Sequence, residues 1–132
     1  MLVVDDTQIN IEILKDILGI SAILCDSALS GTIALQMIQE RILMVKEGTG
    51  EIYKVILLDF SMPVMDGPAT AMELRRVIAE SGIEEQPYIC CCSAYTEDNF
   101  IEEAFEAGMD KYFTKPVNAD LLLEAVKFVL DQ

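Results

Sequence analysis

Four apolar runs in this sequence each end in a side chain able to take part in phosphoryl chemistry. Leu2-Val3-Val4 runs into Asp5-Asp6, Val55-Ile56-Leu57-Leu58 into Asp59, Tyr88-Ile89-Cys90-Cys91-Cys92 into Ser93, and Tyr112-Phe113-Thr114 into Lys115. Carboxylates can ligate a hard cation or attack phosphorus, while an ammonium and a hydroxyl can hold phosphoryl oxygens. Each residue alone has a commoner reading: a turn or cap pair, a turn serine, a solvated lysine before a Lys-Pro strand stop. Their joint placement reverses that preference. Strands of a parallel sheet buried on both faces read as continuous apolar runs, and ligands bind outside their carboxyl ends, so the four sets of side chains would meet.

The elements that must position them alternate. Ile9, Ile13 and Ile17 recur at i+4 beside Leu14 and Leu18, which predicts an apolar stripe on a helix ending near Gly19. Ala22-Ile23-Leu24-Cys25 reads as a short second strand. Ser27 or Ser30 can cap a helix carrying Ala34, Ile38, Ile42 and Val45 as far as Gly48, and Gly67-Pro68 opens another that closes at Ser81-Gly82. Thr96 is the expected cap of a helix running to Gly108, and Asn118 of the last one, through Leu122 and Val126. Five strands alternating with five helices predict an α/β, doubly wound parallel sheet with right-handed crossovers. The stretch from Arg41 to Lys54 exceeds the usual αβ connection, so the second helix runs on or a loop projects.

The 132 residues suit a single domain over 1–132, with no apolar run near the roughly 20 residues of a membrane span. With 9 Lys+Arg against 23 Asp+Glu, the net charge of -14 argues against direct nucleic-acid binding and against contact with anionic membranes. The chain has no histidine, and its four cysteines lack metal or redox spacing, so they read as core residues of a reduced compartment. No basic leader precedes the first strand, and a cytoplasmic setting is expected.

Asp5, Asp6 and Asp59 would form a three-carboxylate cluster, in which each pair about 4 Å apart repels by roughly 4 kcal/mol at an effective dielectric near 20. Such a cluster needs a cation, and oxygen-only ligands suit Mg2+. Asp59 is then the natural nucleophile, forming an aspartyl phosphate whose oxygens Lys115 and Ser93 can reach.

These residues resemble the receiver domain of two-component response regulators: Asp5-Asp6, then Asp59 followed by Met62-Pro63-Val64-Met65-Asp66-Gly67, then Ser93-Ala94 and Lys115-Pro116. The resemblance implies a flavodoxin-like sheet in the order 2-1-3-4-5. It implies that Asp6 and Asp59 ligate Mg2+ directly, that Asp5 helps through water, and that Ser61 lends its backbone carbonyl. It makes Asp59 the phosphoacceptor with Ser93 and Lys115 on the phosphoryl oxygens, Tyr112 a switch aromatic, and Lys115-Pro116 a cis peptide. The helix after Ser93, the last strand and the last helix become the readout face.

The expected function is therefore a phosphoacceptor switch served by a histidine kinase or a histidine phosphotransfer protein, with at most slow self-dephosphorylation and a weak dimer allowed. The Asp5 to Asn10 opening is similar to receivers fused to hybrid histidine kinases, and the abrupt first strand fits a domain excised from a longer protein; a stand-alone regulator is the other parent. A phosphohydrolase would need a general acid where Ser61 stands. A flavin-binding flavodoxin would bring its cofactor phosphate against three carboxylates.

Overall fold

The computed structural model describes residues 1–132. The strands are β1 (Leu2–Val4), β2 (Asp26–Ala28), β3 (Val55–Asp59), β4 (Tyr88–Ser93) and β5 (Lys111–Thr114); the helices are α1 (Gln8–Gly19), α2 (Gly31–Glu47), α3 (Gly67–Glu80), α4 (Asp98–Glu106) and α5 (Ala119–Leu130). All strand pairs are parallel, in the order β2-β1-β3-β4-β5. This is the flavodoxin-like arrangement expected, and it puts the carboxyl ends of β1, β3, β4 and β5 along one edge.

Alternation along the strands sends neighbours to opposite faces. Leu2, Val4, Ile56, Leu58, Ile89 and Cys91 pack with Ala34, Ile38, Leu74, Ile78 and Ala104 of α2, α3 and α4. Val3, Val55, Leu57, Cys90, Cys92 and Phe113 pack with Ile11, Leu14 and Leu18 of α1 and with Leu122 and Val126 of α5. Because both faces are covered, β3 is buried from end to end. No helix is long and apolar enough to cross a membrane.

Three local expectations are corrected. The second strand is Asp26–Ala28, not Ala22-Ile23-Leu24-Cys25: Ala22 turns the chain with φ 57°, Leu24 is exposed, and the ladder begins only where Asp26 pairs with Leu2. An edge strand this short has to bury just one side chain, Ala28, so it carries no apolar run. On α1 the buried face is Ile11, Leu14 and Leu18, whereas Ile9 and Ile13 are exposed. Asn10 sets that rotation by reaching back to Asp5. Finally α4 is preceded by Glu97 at the cap position, with no side-chain cap bond, while the Thr96 amide donates to the Glu97 carboxylate. The other caps stand as read: Ser30 accepts from Ile33 N and Asn118 from Leu121 N.

The stretch from Arg41 to Lys54 is a helix that runs on, then folds back. Gly48, at φ 74°, ends α2 with its amide on the Met44 and Val45 carbonyls, a left-handed position suited to glycine. The chain then returns to Tyr53, which is buried and donates its hydroxyl to Asp26 at 2.6 Å; Arg41 lies 4.4 Å over the Tyr53 ring and 3.1 Å from Asp26. Burial and the Asp26 bond push the Tyr53 phenol up to about 12. The Tyr53 hydroxyl bond, followed by Arg41 and outweighing burial, holds the Asp26 carboxyl below its usual value. A lowered carboxyl contributes stability above its unfolded value, and that stability disappears as pH falls through the folded one. Tyr53→Phe is therefore expected to lose about 1 kcal/mol at pH 7, discounted for the half-exposed Asp26 side chain, with the gap closing below pH 3.8. Denaturant titrations across that range check it; equal stability at pH 7 would show that the bond contributes nothing.

A second anchor lies at the opposite end of the sheet from the aspartates. The Arg75 guanidinium on α3 donates to Gly108 O at 3.0 and 2.7 Å, to Pro87 O at 2.7 Å, to Gln86 at 3.1 Å and to Asp110 at 2.8 Å. Asp110 also accepts from Ile89 N at 2.9 Å, so one side chain ties α3 to the entrances of β4 and β5.

Candidate functional site

The end of β1 delivers Asp5 and Asp6 in succession, and their roles separate at once. Asp5 is buried and turned into the fold, accepting from Thr7 N at 2.9 Å and from the Asn10 amide at 3.3 and 3.4 Å. Asp6 is exposed. Asp59 is the last residue of β3 and only 6% exposed. Oxygen atoms of the three carboxylates all lie within 4.8 Å of one another.

Lys115 reaches this cluster from β5. Its backbone amide donates to Ser93 O at 2.7 Å, and the Lys115-Pro116 peptide is cis, as expected. Its ammonium lies 2.9 Å from Asp59 Oδ1 and 3.5 Å from Asp5 Oδ2. Burial, followed by the neighbouring Asp5 and Asp6 charges, holds the Asp59 carboxyl above its usual value, although the Lys115 bond opposes this. For Lys115 burial pulls the other way, but the bond to Asp59 and the fields of Asp59 and Asp5 carry its value upward. Three carboxylates against one ammonium leave a formal excess of two negative charges. The donor set is oxygen only, so the pocket fits a hard divalent cation such as Mg2+.

The loop after Asp59 folds tightly over the strand end. Phe60 N donates to Cys92 O at 2.9 Å and Gly67 N to Phe60 O at 2.8 Å. A Cβ on Gly67 would collide with the Asp59 carbonyl and lie 2.8 Å from Phe60 Cα, so only glycine allows this approach. Asp66 then caps α3 by accepting from Ala69 N at 2.9 Å. Ser61 lies exposed within this loop.

Ser93 closes β4 and is buried; its Oγ accepts from Tyr95 N at 3.0 Å. Tyr112 on β5 is half-buried and donates its hydroxyl to Tyr95 O at 2.8 Å. The structure thus brings Asp5, Asp6, Asp59 and Lys115 into contact distance, with Ser93 on the adjacent strand end and Tyr112 linked to it through Tyr95. Two residues escaped the sequence reading. Asn10 and Thr7 hold Asp5 in place, and the only signal was the position of Asn10 on the first turn of α1, facing back toward β1.

Fold and site together define a flavodoxin-like α/β domain with an acidic, lysine-bridged pocket at the carboxyl edge of its sheet. A model of the response regulator receiver domain matches residues 1–127, and the chain belongs to that family, the receiver domains of two-component signalling. It is 33% identical over 128 residues to the hybrid signal transduction histidine kinase L of Dictyostelium discoideum, covering 96% of this chain and 7% of that protein. It is 31% identical to the osmosensing histidine protein kinase SLN1 of Saccharomyces cerevisiae, spanning 9% of its length. The chemotaxis protein CheY of Halobacterium salinarum is 26% identical over 132 residues, covering 98% of this chain and 95% of that one. Among solved structures, the receiver domain of the Arabidopsis thaliana histidine kinase CKI1 complexed with Mg2+ and BeF3- superposes with a TM-score of 0.85 at 25% identity, over 99% of this chain and 89% of that one.

Proposed function

We propose that this domain is a phosphoacceptor: Asp59 takes a phosphoryl group from a phosphohistidine on a histidine kinase or a histidine phosphotransfer protein. The observation that carries the reading is the ammonium of Lys115, drawn from β5 to 2.9 Å from Asp59 within a cluster of three carboxylates. The donor's N–P bond breaks as an Asp59 oxygen bonds to phosphorus, and the electron pair stays with the donor imidazole, which takes up a proton. This chain has no histidine, so the donor is another domain.

Bound Mg2+ would supply the charge that lets phosphoryl oxygens approach the aspartates. Asp6 and Asp59 would hold it, with Asp5 acting through water and Ser61 through its carbonyl; the oxygen-only donor set and the receiver of CKI1 solved with Mg2+ and BeF3- support this. Lys115 exchanges its contact with Asp59 for one phosphoryl oxygen, and the Ser93 hydroxyl donates to another. Tyr112 is the switch aromatic of the reading, supported by its bond to the Tyr95 carbonyl. A hybrid histidine kinase as the parent is supported by the Dictyostelium and yeast relatives. A cytoplasmic setting is supported by four unpaired cysteines.

Acetyl phosphate with Mg2+ is expected to add one phosphoryl group by intact mass, and EDTA is expected to abolish the gain, because without the cation the incoming phosphate meets three carboxylates. No gain in the presence of Mg2+ would overturn the proposal.

A further inference from the structure

Tyr95 is held from three directions at once. Its amide donates to Ser93 Oγ at 3.0 Å and its carbonyl accepts from the Tyr112 hydroxyl at 2.8 Å, so its main chain is fixed by the serine that ends β4 and by an aromatic of β5. Its ring stacks on Phe100 of α4, with centroids 4.1 Å apart and planes 13° from parallel. The ring also meets Phe60 edge-on at 5.7 Å, and Phe60 meets Phe100 in the same way at 5.7 Å. Phe60 is the residue bonded to Asp59. The three rings therefore form one packed unit that joins the two strand ends of the site to the first turn of α4.

That unit matters because little else fixes α4. Of its nine residues only Ala104 is buried, and its cap residue Glu97 makes no side-chain cap bond. A helix with so few buried contacts and an unsupported start follows whatever grips its first turn. Phe100 is in that turn, and Tyr95 is the ring stacked on it.

We propose that Tyr95 is a positioning residue that transmits a change at Ser93 to α4 through its ring, an inference that rests on the phosphoacceptor reading. A phosphoryl group on Asp59 draws the Ser93 hydroxyl into a new bond and reorients the oxygen that now accepts from Tyr95 N. The Tyr95 main chain moves with that oxygen, and its ring carries Phe100 with it. The ring is the working part. The Tyr95 hydroxyl bonds no other residue, while its two bonded atoms belong to the backbone and survive replacement by phenylalanine or alanine.

The test uses beryllofluoride with Mg2+ as the phosphoryl mimic and amide NMR as the readout. In the wild-type chain, shifts are expected at Ser93 and Lys115 and along Phe100 to Glu106. Tyr95→Phe should respond in the same way. Tyr95→Ala should keep the shifts at Ser93 and Lys115 while those along α4 fall to under a third, a split that a general loss of structure would not produce. Phe100→Leu removes the stack from the other side and should uncouple α4 equally, which keeps the test decisive should the alanine variant fold poorly. Full α4 shifts in Tyr95→Ala or Phe100→Leu would overturn the inference, as would uncoupling by Tyr95→Phe. A wild-type chain with no shift at Ser93 or Lys115 would instead remove the phosphoacceptor reading beneath it.

Discussion

Asp59→Asn is expected to gain no phosphoryl group from acetyl phosphate and Mg2+, and yet to be the more stable protein when no divalent cation is present. The first half follows from the loss of the carboxylate nearest Lys115; the other one in reach, Asp5, is tied up by Thr7 N and the Asn10 amide. The second follows from electrostatics. Asp59 is buried among like charges, and despite the Lys115 bond its carboxyl is held above the usual value of 3.8. A carboxyl raised on folding makes the folded state the better proton acceptor, so its contribution to stability is present below the unfolded value and lost as pH rises through the folded one. At neutral pH the ionised Asp59 is thus a net cost, and asparagine removes it without changing shape. The expected gain is on the order of 1 kcal/mol at pH 7, shrinking to nothing as pH falls below 3.8. Mg2+ should reverse the order, because it stabilises the wild-type cluster more than one lacking a ligand. Thermal unfolding of both proteins, with EDTA and with Mg2+, measures all of this; a less stable Asp59→Asn in EDTA at pH 7 would mean that the Lys115 pair outweighs the crowding.

Arg75→Met should produce the largest loss of stability outside the apolar core. The methionine keeps the packed stem but removes a guanidinium that serves Gly108 O, Pro87 O, the Gln86 amide and the Asp110 carboxylate, with its side chain only 22% exposed. The carbonyls left behind are only partly open to water, so the expected cost is about 3 kcal/mol. For a domain of this size that lowers the melting temperature by roughly 10 °C. Arg75→Lys should recover little of it, because a compact ammonium cannot span four partners as a planar fork does. Phosphoryl uptake should be unchanged, since the anchor sits at the opposite edge of the sheet. A loss below about 1 kcal/mol would show that solvent replaces the fork.

What the sequence displayed and what it hid divide along a physical line. Asp5, Asp59 and Ser93 were legible because a strand buried on both faces must be apolar throughout, so its first polar residue marks the edge where ligands bind; Lys115 follows an edge strand in which only Phe113 is buried, and its place before Pro116 marked it instead. The same rule failed at β2. An edge strand of three residues with one buried side chain needs no apolar run, and the run nearby belongs to a turn and its approach. On α1 the isoleucines at 9, 13 and 17 mimic a core stripe, yet the rotation is set by the polar pair Asn10 and Asp5. The Arg75 anchor was invisible because its partners lie up to 35 residues away and four of its five bonds go to oxygens that no sequence pattern marks. The junction at Tyr95 was hidden for the same reason: two of its three links use main-chain atoms, which every residue possesses.

The three consecutive thiols of β4 have a consequence for handling the protein. Cys90, Cys91 and Cys92 are all buried in β4, between β3 and β5, and burial pushes each thiol upward, Cys92 to about 12. Thiolate is the species that alkylating reagents and peroxides attack, so these sulfurs are chemically silent while the sheet is closed. Burial raises the Cys25 thiol as well, but this half-buried side chain is the one thiol with access to solvent. A single dye or spin label can therefore be attached at Cys25, beside β2, with the native cysteines in place, and the other three become reactive only in molecules whose sheet has opened.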